Sequence, residues 1–308
     1  MITRPPFLLA TNHHDDDHDD HDDHGGLHRD LLATGESMGR RRALRMAAKW
    51  GAGLGASLGA LGLLGCGTSD LTGTSTDAGT SGGTGTSTGG ISTSTGAACP
   101  TKIPEETAGP YPGDSSNGPN VLNLTGVVRS DIRSSFAGLS GIAAGIPLAI
   151  ELTLVSASTC EALANRAVYL WHCDRGGLYS LYSAGATNQN YLRGVQAADA
   201  NGKLTFQSIF PGCYAGRWPH IHFEVYPSLS AATSVRNKVA TSQLALPKSA
   251  CDLVYATSGY ESSVRNLAGI SLASDNVFSD GAQLQLATIT GSVSEGFKAA
   301  LTVAVNGA

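Results

Sequence analysis

The residues best suited to chemistry sit in one short run, Arg217-Trp218-Pro219-His220-Ile221-His222-Phe223. Its histidines stand at i and i+2 in a segment, His-Ile-His-Phe-Glu-Val, that reads as a β-strand. Strand side chains alternate faces with period two, so His220 and His222 share one face. Two imidazoles side by side are what a metal centre needs. Tyr214 lies just upstream, separated from Arg217 only by Ala215-Gly216, and Tyr179 follows the turn Gly176-Gly177. Two phenolate oxygens with two imidazole nitrogens make an N2O2 donor set, suited to ferric iron as a hard Lewis acid.

Histidine is scarce from Cys99 onward: His172, His220 and His222 are the three present there. A three-histidine zinc or copper site would therefore need His172, and a two-histidine, one-carboxylate iron site would need Asp174 or another acid. Taken singly, these residues carry little. A lone tyrosine is more often surface or core, a His-x-His pair is as often structural as ligating, and a lone arginine is most often a solvated charge. Trp171 and Tyr169 read as core, and His172, facing away from Trp171, reads as a satisfied polar residue.

Short runs with alternating or β-branched residues must position this set. They are Asn120–Arg129, Leu148–Val155, Arg166–His172, Lys203–Ile209, His220–Tyr226, Gln243–Leu246, Gln283–Thr290 and Leu301–Val305, separated by turns such as Asn201-Gly202 and Pro211-Gly212. Helical pattern is confined to Val235–Val239, Ala250–Ala256 and Glu261–Leu267. Many short strands and few helices predict an all-β fold, an antiparallel β-sandwich with short helices and long loops.

From about Glu106 to Leu246 the motifs together resemble the intradiol ring-cleaving dioxygenases, non-haem ferric enzymes that open catechols between their hydroxyls. The resemblance rests on Thr107-Ala108-Gly109-Pro110-Tyr111, Trp171-His172-Cys173-Asp174 through Gly177-Leu178-Tyr179, and Asp199-Ala200-Asn201-Gly202. Phe206 to Tyr214, Arg217 to Phe223 and Thr241-Ser242-Gln243 complete it. It implies one Fe(III) per domain, held by Tyr179 and His220 as equatorial ligands and by Tyr214 and His222 as axial ones. It further implies that Tyr214 serves in turn as ligand and base, that Arg217 flanks the substrate ring, and that Gln243 and Tyr111 border the pocket. Substrate and co-substrate would be a small aromatic diol and O2, and the product a muconate-type diacid. The two-residue link between Tyr214 and Arg217 is shorter than in the intracellular members, which resembles the exported branch and implies a more open pocket mouth. Two other classes stay open on the residues alone: a zinc or copper enzyme using the three histidines, and a non-catalytic surface-binding module on the same scaffold.

The 308 residues are not uniform. Residues 1–37 read as a His/Asp-rich disordered leader, never made if translation starts at Met38 and otherwise expected to be removed with the signal. Residues 38–66 carry Arg40-Arg41-Arg42, then a short Gly/Ala/Leu stretch ending Leu63-Leu64-Gly65-Cys66. This resembles a twin-arginine export signal with a lipobox, so Cys66 is the expected lipidation site and the anchor the expected membrane contact. The apolar stretch, 16 residues with six glycines, is too weak for a stable span. Residues 67–98 are nearly all Gly, Ser, Thr and Ala, a flexible tether reaching roughly 30 Å. Residues 99–308 form the expected catalytic domain, with 13 Lys and Arg against 14 Asp and Glu. That balance gives no basic patch for nucleic acid. Cys99, Cys160, Cys173, Cys213 and Cys251 remain as an odd set, predicting one or two disulfides with a thiol left over, and with Cys173 and Cys213 near each other. Pairing and oligomeric state are not readable at this level.

Overall fold

The computed structural model describes residues 98–307. The leader, the signal with Cys66 and the tether up to residue 97 lie outside them. Eight strands form the frame: β1 Pro147–Ser156, β2 Ala167–Trp171, β3 Arg193–Ala197, β4 Lys203–Ile209, β5 His220–Tyr226, β6 Ala240–Ala245, β7 Thr288–Ser292 and β8 Gly296–Val305. Two helices, α1 Lys248–Tyr255 and α2 Glu261–Ala268, follow β6.

The strands make two four-stranded sheets, ordered β4-β1-β8-β7 and β3-β2-β5-β6. Every pair is antiparallel except β1 with β8, which run parallel from Leu148 opposite Phe297 to Ser156 opposite Val305. The all-β sandwich is thus as the sequence indicates, with one parallel pair added. In β1 every second residue is buried, the period-two pattern of a half-covered strand. Its Leu148, Ile150, Leu152 and Leu154 pack in one core with Val168 and Leu170 of β2 and Ile221, Phe223 and Val225 of β5. Each such side chain contributes about 1.5–3 kcal/mol on burial.

Three sequence expectations change. Asn120–Arg129 is not a strand but a succession of turns touching β3 through a single bridge, Val128 to Val195. Gly126 there turns the chain at φ +94°, and Leu124 and Val128 are exposed, so pairing with β3 stops at that bridge. Gln283–Gln285 is a turn, with Leu286 a single bridge to Ala245 before β7, and Val235–Asn237 is one turn of 3-10 helix. Conversely, β3 carries an arginine and a glycine and shows little strand pattern. A Cβ on Gly194 would lie 2.5 Å from Ile132, so close packing selects glycine there.

The N-terminal residues cross the edge of the second sheet as a strap. Glu106 N–H donates to the Thr241 carbonyl, Ser242 Oγ to the Pro104 carbonyl and Thr241 N–H to Glu105. Cys99 at its start is disulfide-bonded to Cys160, while Cys173, Cys213 and Cys251 are buried free thiols. Cys173 Sγ reaches the Gly212 carbonyl at 3.5 Å, so it neighbours the Cys213 segment without a covalent link. No described helix is long and apolar enough to cross a membrane.

Candidate metal centre

The second sheet has an inner face in the core and an outer face beneath the strap and loops. Register sets Trp171, His222 and Gln243 opposite one another across β2, β5 and β6. The His222 ring stacks on Trp171, centroids 5.0 Å apart and planes 5° from parallel, so strand pairing fixes the imidazole. His220 lies one pleat along on the same face, and its Nε2 is 3.0 Å from His222 Nε2. The His220 Nδ1–H donates to the Trp218 carbonyl at 2.5 Å, leaving Nε2 with its lone pair outward.

Both proposed phenols arrive at this point. Tyr179 Oη is 3.4 Å and Tyr214 Oη 3.2 Å from His220 Nε2. Tyr179 is mounted by a tight loop in which Asp174 Oδ1 accepts the N–H groups of Gly176 and Leu178. Gly177 has φ +87°, and a Cβ there would sit 3.1 Å from Cβ of Tyr214, so the loop needs glycine for conformation and for space. Tyr214 is mounted from the far side. Ser263 Oγ on α2 accepts Cys213 N–H, Asn266 Nδ2 donates to the Cys213 carbonyl, and Tyr255 and Tyr260 hold the Pro211 and Phe210 carbonyls. The two helices therefore work as a bracket for one tyrosine.

Tyr111 packs against Tyr179, ring centroids 4.9 Å apart and planes tilted by 36°. Gln243 Oε1 accepts from Arg217 Nη2 at 2.7 Å, and its Nε2 donates to the Thr107 carbonyl. The structure thus gathers Tyr111, Tyr179, Tyr214, Arg217, His220, His222 and Gln243 into one neighbourhood. His172 is outside the set: its Nδ1 donates to the Cys173 carbonyl and its Nε2 accepts from Ser208, so both nitrogens are occupied. Among the described residues no three His, Cys, Asp or Glu side chains group as a metal site. The three-histidine alternative loses its third ligand.

Two residues escaped sequence reading. Buried Arg193 donates to the carbonyls of Tyr111, Pro112 and Ser180 and to the hydroxyls of Ser180 and Tyr169, tying the Tyr111 and Tyr179 loops together. Buried Asp275 binds Arg217 Nε at 3.0 Å. Neither stands in a motif.

The donor set fits a ferric ion. The His220 and His222 Nε2 atoms lie 3.0 Å apart with both phenol oxygens alongside, so one ion could be held by all four residues. Burial, above all, holds both imidazoles well below their ordinary pKa, in the neutral ligating form. His222 Nδ1 is buried without a partner, so a protein hydrogen bond does not account for its orientation. A hard ion balances phenolate oxygen against imidazole nitrogen better than zinc or a softer metal would.

The Tyr2His2 cluster lies on the outer face of a β-sandwich, and comparison with known proteins shows what this region is similar to. Residues 118–231 match the family model for Dioxygenase, a stretch that contains Tyr179, Tyr214, Arg217, His220 and His222. An intradiol ring-cleavage dioxygenase from Tetranychus urticae is 26% identical with a TM-score of 0.53, over 68% of this chain and 95% of that one. A second dioxygenase crystal structure gives 25% and 0.53 over the same shares. The dioxygenase domain of a carbohydrate-binding fusion from Streptomyces sp. SirexAA-E gives 21% and 0.43, over 67% and 99%. No curated protein matches. In sequence over residues 118–231 and in fold, the described region resembles the intradiol ring-cleavage dioxygenases.

Proposed function

We propose that this protein is an iron(III)-dependent intradiol dioxygenase that opens a catechol-type ring between its hydroxyls with O2, giving a muconate-type diacid. The observation that carries this reading is the convergence of Tyr179, Tyr214 and His222 on His220 Nε2, all within 3.4 Å. Ferric iron held by these four residues would supply Lewis-acid activation of a chelated catechol.

The two tyrosines are not equivalent. Tyr179 is buried, packed against Tyr111 and edge-on to Tyr214 and His222. Tyr214 is half-buried and leads into exposed Ala215 and Gly216, the latter at φ +83°. Tyr214 is therefore the phenol with room to swing aside, and as a phenolate its Oη would take a proton from the incoming diol. Tyr179 stays in place. Arg217, charged at any working pH, lies beside Gln243 in the His222 row and stabilises negative charge spreading over the ring.

The enzyme acts outside the cytoplasm, tethered through lipid on Cys66 and by residues 67–98. The Cys99–Cys160 disulfide supports an oxidising compartment. Radiolabelled fatty acid incorporated by the wild type and lost in Cys66→Ser would bear this out, and equal labelling of both would refute it.

Oxygen uptake with catechol, coupled to formation of the ring-opened diacid, tests the activity. Tyr214→Phe is expected to keep the fold and lower turnover by about 10²–10⁴-fold, the usual worth of a positioned acid–base group. Full activity in Tyr214→Phe would remove the assigned base.

A further inference from the structure

We infer that Asp275 is a positioning residue for the ring-opening reaction, holding Arg217 in its working orientation; this rests on the function proposed above. Asp275 lies 58 residues beyond Arg217, outside the segment matched to the dioxygenase family. Its carboxylate and the Arg217 guanidinium are 0% and 1% exposed. Stability alone does not call for such a pair, because desolvating two charges costs several kcal/mol each and a packed apolar pair commonly does as well.

What distinguishes the pair is how fully it is braced. Asp275 Oδ2 accepts Arg217 Nε–H at 3.0 Å and the backbone N–H of Trp218 at 2.7 Å. Asp275 Oδ1 accepts the N–H groups of Val277 and Phe278, which fixes the carboxylate plane. Gln243 Oε1 takes Arg217 Nη2 on another edge, and Gln243 is itself tied to Thr107. The guanidinium is thus held at two nitrogens by groups from two separate segments, with the strap behind one of them. The same carboxylate holds Trp218 at its nitrogen, while the Trp218 carbonyl holds the His220 ring. One acid therefore sets the side chain expected to face the substrate and braces the chain leading into the metal-binding strand.

The test compares wild type, Asp275→Asn, Arg217→Gln and the double variant, with turnover expressed per bound iron. Asp275→Asn is expected to keep its iron and lose about 10²-fold in kcat, the scale of a displaced catalytic group, with little change in KM. In the Arg217→Gln background the same change should cost nothing further, since both substitutions remove one function. Asp275→Glu, which keeps the charge one methylene further out, should recover part of the loss. It also serves as the deciding variant if Asp275→Asn does not fold. Independent, additive losses would overturn the inference. So would iron loss with unchanged turnover per iron, which marks a scaffold role. A wild type that binds no iron and consumes no oxygen with catechol would overturn the underlying function and this inference together. An active wild type with an equally active Asp275→Asn would overturn this inference alone.

Discussion

On β5, Ile221, Phe223 and Val225 turn toward the other sheet, while His220, His222, Glu224 and Tyr226 turn toward the strap and loops. Both faces are buried, yet they are built on different rules. The inner face is apolar volume shared among many neighbours, and its requirement is shape. The outer face is a set of polar atoms held by particular partners: Tyr226 Oη donates to Glu224, Lys238 Nζ bonds Glu224, and His220 bonds the Trp218 carbonyl. A strand buried on both sides can thus divide its work by residue parity, one side filling the core and the other holding the polar residues of the proposed site.

The sharpest way to break this contrast is to cut adjacent residues on opposite faces. Phe223→Ala should cost about 3–5 kcal/mol of stability, the usual result for a buried phenylalanine. His222→Ala should abolish iron binding and activity while changing the stability of the metal-free protein far less. Urea titration of both iron-free variants, with metal analysis of the reconstituted ones, reads the difference. Equal destabilisation would erase the distinction.

A smaller effect is expected at the strap, which covers the chemical face. The Cys99–Cys160 link spans a separation of 61 residues, and closing such a loop stabilises by about 4 kcal/mol in the chain-entropy account. Replacing both cysteines by serine should lower stability by up to that amount. It should also speed amide exchange at Glu106 and Thr241, whose hydrogen bonds fasten the strap. Unaltered exchange there would mean that the strap holds without its covalent anchor.

The smallest effect concerns His172, which packs away from the metal set. Burial lowers its pKa from the ordinary 6.5 to about 4. The unfolded chain binds that proton at higher pH than the folded one, so the contribution is fully present above about pH 6.5. It is lost as pH falls toward 4, and amounts to about 3 kcal/mol. His172→Gln should flatten the acid side of the stability curve, and an identical acid limb would reject this assignment.

Parity also explains what the sequence could disclose. Strands such as β1 and β5, with clear alternation or a dense β-branched and aromatic run, were legible, and with them the shared face of His220 and His222. Asn120–Arg129 carried the same signal but is broken by turns, so it meets β3 at one bridge only. β3 gave almost none because its pairing rests on a close-packed glycine and a buried arginine. Tyr179 and Tyr214 were found through motifs, but the α1–α2 bracket behind Tyr214, the Arg193 clamp and Asp275 were not. Their roles depend on burial and on long-range partners, and neither property has a local pattern. The cysteine pairing was open for the same reason, since five residues admit many combinations.

The central claim is that two phenols and two imidazoles grip one oxidised iron. Anaerobic titration of the iron-loaded protein with catechol, followed in the visible region, tests it most directly. One iron per chain should give a red-brown tyrosinate charge-transfer band that shifts as the diol binds and changes again in Tyr214→Phe. A colourless protein, or a band indifferent to both catechol and the Tyr214 substitution, would contradict it.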